Sequence, residues 1–188
     1  MAELAVQAIE LAVYVAWVRR APASAMARVR YVDWFATTPL MLATNAAYMA
    51  YAADRACASP CPCPCGPTLA GGLAGFVAVE APYLAAMAAA NLGMLLAGYA
   101  AELGRAPRGA ACAAGFGAMG ISFGVLWRRY ARHSAEGRRL FAGVALVWSL
   151  YGAAFWAPPV AKNAAYNGLD VLAKNAFGLF LAAKVATG

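Results

Sequence analysis

Charge is the scarcest property of this chain. Only 12% of its 188 residues are Asp, Glu, Lys or Arg, where an average soluble domain has about 25%. The few charges cluster between long apolar blocks, a distribution that excludes an ordinary soluble domain. Period-two alternation is missing as well, which excludes a membrane β-barrel. The opening MAELAVQAIELAVYVAWVRR places Glu3 and Glu10 where a signal peptide has its basic region, and it lacks a cleavage site, so no cleavable leader is expected. Zinc-type Cys-x2-4-Cys pairing is lacking too. Cys57, Cys61, Cys63 and Cys65 fall in CASPCPCPCGP, and Cys112 stands alone. That spacing argues against a metal site, and alternating Pro holds the loop extended. No metal is expected. Lipidation and a plain low-complexity loop stay open.

What is present is apolar: 64% of the residues, with a mean hydropathy of +0.61. A membrane span needs about 20 apolar residues, and six blocks qualify: 2–18, 31–53, 80–101, 109–131, 139–157 and 160–183. The Gly-rich segment 69–79 either extends the third block or lies at the membrane surface. Alanine favours helix, and small residues let helices pack closely in lipid. The expected fold is an all-α polytopic transmembrane bundle, with residues 1–188 as one membrane domain. A Cys/Pro loop (57–68) and a basic loop (128–138) interrupt it.

Net charge is +7, concentrated in RRYARHSAEGRR, residues 128–139. Positive loops face the cytoplasm, and alternation then puts the Cys/Pro loop on the same side, where disulfides are disfavoured. Arg19, Arg20 and Arg28 fall on the opposite side. The arginines imply a lipid membrane and its anionic headgroups as partner, and nothing beyond charge suggests nucleic acid.

A charge inside a span costs about 2.5–3.5 kcal/mol, so each one needs a reason. Glu10 lies in the first block. Arg30 and Asp33 open the second, within RYVDWFATTPL, and Asp170 and Lys174 sit in the last. Glu80 and Glu102 fall near block ends and read as interfacial. Asp33, Thr37 and Thr44 share one helix stripe, and Asp170 and Lys174 share another. Packed together, these stripes set Asp33 and Asp170 near the Lys174 amine, with Arg30 a turn away, in a neutral cluster that a low-dielectric interior tolerates. One reading is a salt-bridge network joining two helices. The other is chemical: a buried lysine amine condenses with an aldehyde, and the resulting Schiff base needs a carboxylate counterion. Trp34 and WSLYGAAFW (Trp148, Tyr151, Phe155, Trp156) add aromatic residues in mid-span, where Trp and Tyr are unusual. They form plain core or sandwich a flat apolar ligand.

With these residues assembled, the chain resembles the microbial (type 1) rhodopsins along essentially its whole length. The resemblance rests on RYVDWFATTPL in the family's third helix, WSLYGAAFW in its sixth and LDVLAKNAFG in its seventh, and extends to NLGMLLAG and Met119. It implies all-trans retinal as a Schiff base on Lys174, Asp33 as primary counterion and proton acceptor, and Asp170 as the second. Arg30 would order charge on the outward side, and Thr37 would hydrogen-bond the counterion. Trp34, Thr38, Met94, Gly98, Met119, Trp148, Tyr151 and Phe155 would line the chromophore. It also implies seven helices, so the first is missing here, and a homo-oligomer, trimer or pentamer.

Departures from the pattern bear on function. Thr44 stands where strong pumps keep a carboxylate donor, and threonine releases no proton at physiological pH. Lys162 stands where the best-known pump has an outward proton-release carboxylate. Gly152 replaces a proline, and Phe155 replaces a pocket tryptophan unless Trp156 turns inward. Glu10 lies a turn before Tyr14, near where light-gated channels of the family keep a gate glutamate. A light-driven proton pump is the favoured expectation, on the Asp33–Thr37 pair. A light-gated ion channel and a sensory photoreceptor without transport are the alternatives, and a scaffold without chromophore comes last. No enzymatic activity is expected.

Overall fold

A computed structural model describes residues 2–17, 23–57, 66–69 and 71–187. The described residues are helical throughout, with short connections and no strand. The elements are α1 (Ala2–Trp17), α2 (Ala23–Cys57), α3 (Gly72–Glu102), α4 (Arg108–Arg129), α5 (Ala135–Ala154), α6 (Pro159–Asp170) and α7 (Phe177–Thr187). A π-helical turn, Val171–Ala176, joins α6 to α7 without a break, and it contains Lys174. The six apolar blocks thus become six helical rods.

Local chemistry sets the ends of these rods. The α3–α4 turn is built by Gly104, whose φ of +69° suits a residue without Cβ. The N–H groups of Gly104 and Arg105 donate to the Ala101 and Ala100 carbonyls at 3.0 and 2.8 Å, closing the helix end. Ser134 caps α5, its hydroxyl accepting from the Gly137 N–H at 2.8 Å. Pro159 opens α6 at a position where no N–H is needed.

α2 is the central rod and packs against α1, α3, α5 and α6. It begins at Ala23, ahead of the expected block, and its polar residues do not interrupt it. Pro39 lies inside it. Just before that proline, the Thr37 and Thr38 hydroxyls donate to the Asp33 and Trp34 carbonyls at 2.9 and 2.7 Å. α3 starts at Gly72 and absorbs most of the Gly-rich segment. Two stretches, Gly72–Glu102 and Arg108–His133, are long and apolar enough to cross a membrane. α2 is equally long and falls short in hydropathy because it holds the site residues.

Three expectations are corrected. Glu80 does not face solvent: it is 2% exposed and accepts from Arg129 at 2.7 and 2.9 Å and from the Tyr130 hydroxyl at 2.9 Å. Glu102 is likewise mostly buried, paired with Lys162 at 2.6 Å. In both cases a cation from a distant helix arrives to neutralise the carboxylate. Cys57 is disulfide-bonded, against the expectation of reduced thiols. Cys61, Cys63 and Cys65 lie outside the described residues.

Candidate functional site

The polar stripes of α2 and of the α6–π–α7 rod face each other. The Lys174 amine is 1% exposed. It donates to Asp33 Oδ2 and lies 3.5 Å from Glu10 Oε1 on α1. Asp170 is held by a different set. Its Oδ2 accepts from Arg30 Nη1 at 2.9 Å, and its Oδ1 accepts from the Tyr151 hydroxyl at 2.7 Å and the Trp34 indole at 3.2 Å. Arg30 Nη2 also donates to Asn167 Oδ1. The two aspartates are therefore divided, Asp33 to Lys174 and Asp170 to Arg30. With Glu10, three carboxyl groups face two cations, one more than the neutral cluster expected. Asp33 Oδ1 is buried and has no hydrogen-bond partner among the described residues.

One threonine differs from expectation. The Thr37 hydroxyl donates to the Asp33 backbone carbonyl and not to the carboxylate, because a helical threonine reaches its own preceding turn. Thr44 bonds the Met41 carbonyl at 3.0 Å. Thr38 joins α2 to α3, its hydroxyl accepting from Asn91 Nδ2 at 2.7 Å. Tyr14 has its side chain outside the described set.

Beside Lys174 lies a cavity with mainly apolar walls. Trp34, Thr38, Met94, Gly98, Met119, Trp148, Tyr151 and Phe155 all line it, and so does Asp170. Phe155 is 6% exposed and Trp156 53%, so Phe155 and not the tryptophan fills the wall. Gly98 and Gly152 are required by close approach: a Cβ would stand 2.4 Å from the Tyr31 hydroxyl at Gly98 and 2.2 Å from the Phe116 ring at Gly152. The sequence reading missed Tyr31, Phe116 and Tyr166 as lining residues, and Asn167 as a partner of Arg30. Tyr166 packs edge-on against Trp34 at 5.0 Å and stacks on Tyr151 at 5.7 Å. Tyr166 and Asn167 stand four and three residues before Asp170, on the same helix face, which was the available signal.

A buried amine at the end of an apolar, aromatic cavity, with a half-satisfied carboxylate against it, suits an apolar aldehyde held as a protonated Schiff base. The residues present therefore fit retinal. The family model for bacteriorhodopsin-like proteins matches residues 1–188. The fold is similar to that of a viral rhodopsin, OLPVRII, known from a crystal structure, with a TM-score of 0.80 and 22% sequence identity over 99% of this chain and 80% of that one. No curated protein matches. Proteins of the matched family bind retinal through a Schiff base to a lysine. The chain belongs to the bacteriorhodopsin-like family, as a light-driven, retinal-binding, multi-pass integral membrane protein.

Proposed function

We propose that this protein is a light-driven proton pump, with retinal carried on Lys174 and Asp33 as the proton acceptor. The division of the two aspartates supports this reading most. Both oxygens of Asp170 are already engaged by Arg30, Tyr151 and Trp34. Asp33 Oδ2 faces Lys174 Nζ directly, and its Oδ1 has a free lone pair, so Asp33 has room for a proton and Asp170 does not. Bound retinal supplies light absorption and a change of shape at Lys174 Nζ. Arg30 holds charge on the outward side of the pair. Inward of Lys174, the buried side chains of Met41, Leu42 and Met49 fill the bundle, and Thr44 offers no acid. Return of a proton to Lys174 is therefore slow, and so is turnover. Voltage-clamp recording tests this: the photocurrent keeps one sign at every voltage, and Asp33→Asn abolishes it. A current that reverses with voltage contradicts it.

One observation favours a second reading, a light-gated ion channel. Glu10 brings a third carboxyl within 3.5 Å of Lys174, on the helix where the family's channels keep a gate glutamate. In that case the current reverses with the ion gradient, and Glu10→Gln changes its amplitude or selectivity. An unchanged current in Glu10→Gln excludes Glu10 as a gate. Either activity is compatible with a trimer or pentamer, since Gly117, Gly120 and Gly124 on α4 leave open space against which another helix can pack.

A further inference from the structure

At the inward end of the bundle, far along α3 and α4 from Lys174, lies a second cavity of about 750 Å³. Its walls are of two kinds. One is polar, with the cationic side chains of Arg128, Arg129 and Arg132 beside the imidazole of His133. The other is apolar: Phe76, Val79 and the backbone of Gly71 and Gly75. Glu80 is the only acidic residue among the described lining residues, and Arg129 and Tyr130 occupy both its oxygens. That leaves Arg128 and Arg132 with no carboxylate partner among the described residues, a local surplus of positive charge.

The walls are fixed by the protein's own bonds. Asp54 on α2 accepts from the Thr68 hydroxyl at 3.0 Å and the Leu69 N–H at 2.7 Å. Gly66 then lies against the His133 ring, where a Cβ would stand 2.9 Å from it. Arg138 donates to the Arg132 carbonyl at 3.1 Å. On the apolar side the cavity continues onto the exposed face of α3, where Leu73, Val77 and Val79 present their side chains outward. In a multi-pass membrane protein that face meets lipid tails.

From this juxtaposition we infer that the cavity is a binding site for an anionic phospholipid of the inner leaflet. The phosphate sits among Arg128, Arg132 and His133, and an acyl chain runs over Gly75 and Val79. A small soluble anion would use the arginines and leave the apolar wall wet. A zwitterionic lipid would leave the surplus charge unmatched. The occupant that satisfies both walls has a net negative head and an apolar tail.

The purified, retinal-loaded protein is placed in nanodiscs of phosphatidylcholine alone, or with phosphatidylglycerol, and the lipids kept through a second detergent extraction are counted by mass spectrometry. Wild type retains phosphatidylglycerol selectively. Arg128→Gln/Arg132→Gln lowers that retention about thirtyfold, each arginine near an anionic headgroup being worth about 1 kcal/mol. Val79→Asn, which makes the apolar wall polar without adding charge, lowers it too. The visible absorption band of all variants stays unchanged, which shows that they fold. Equal retention in wild type and the double arginine variant overturns the proposal. So does competition by inorganic phosphate at the concentration at which phosphatidylglycerol binds, since that means a phosphate site without a lipid tail.

Discussion

Gly152 is set against the edge of an aromatic ring with no space for a methyl group. A Cβ there stands 2.2 Å from Phe116, an overlap that only movement of the ring can relieve. Gly152→Ala is expected to lower stability by about 1–3 kcal/mol, the usual cost of overpacking, and Phe116→Ala in the same chain removes that penalty. Thermal loss of the visible band in the two single variants and the double one measures it. If Gly152→Ala melts like wild type, the packing described around the cavity is wrong. At this scale the sequence was legible where the geometry is local. Asp33 with Thr37, and Asp170 with Lys174, are four residues apart and share a face by helical arithmetic alone. Thr37 was misread because two acceptors lay within its reach, the Asp33 carboxylate and the Asp33 carbonyl, and spacing does not choose between them.

Between elements, the bonds that matter join distant parts of the chain. Lys162 and Glu102 are 60 residues apart and meet at 2.6 Å, tying the start of α6 to the end of α3. The Lys162 side chain is 4% exposed. Glu102→Gln strands its charge, and removing one partner of a buried pair costs about 3–5 kcal/mol. Glu102→Gln/Lys162→Met recovers most of that loss in a denaturation series, and a double variant as unstable as the single one contradicts the account. Neither this pair nor Glu80–Arg129, at 49 residues' separation, was legible in the sequence. A glutamate near a block end looks the same whether it faces water or a cation on another helix.

α5 is tied to its neighbours more weakly. Glu136, in the loop-proximal first turn of α5, accepts from the Tyr48 hydroxyl of α2 at 2.8 Å and pairs with Lys184 of α7 at 3.1 Å. The Tyr48 bond, followed by Lys184, holds the Glu136 carboxyl below its ordinary range. Because the folded value lies below the unfolded one, this tie contributes fully above about pH 4.3 and is lost as acid protonates the carboxyl. Its side chain is 43% exposed, so screening by water keeps the effect small. Melting temperature measured against pH is expected to fall more steeply on the acid side in wild type than in Tyr48→Phe. Superimposable acid limbs in the two proteins contradict the assignment.

For the whole molecule, the six-rod architecture was legible because apolar length and alanine content decide it before any tertiary contact forms. The start of α2 was harder to place, because its polar residues lower its hydropathy while the surrounding helices supply their partners. Charge is arranged in depth. Basic residues ring the inward end, a paired lysine and glutamate lie toward the outward end, and between them two carboxyl groups, Asp33 and Glu10, lie against the buried amine of Lys174. That central arrangement supports the assignment of Lys174 as the retinal carrier, and everything proposed about transport rests on it. The visible absorption spectrum of the expressed chain with added all-trans retinal, recorded beside Lys174→Ala, tests it most directly. The account predicts a visible band in wild type and none in the variant. A band that survives in Lys174→Ala, or only the near-ultraviolet absorption of free retinal in wild type, would contradict it.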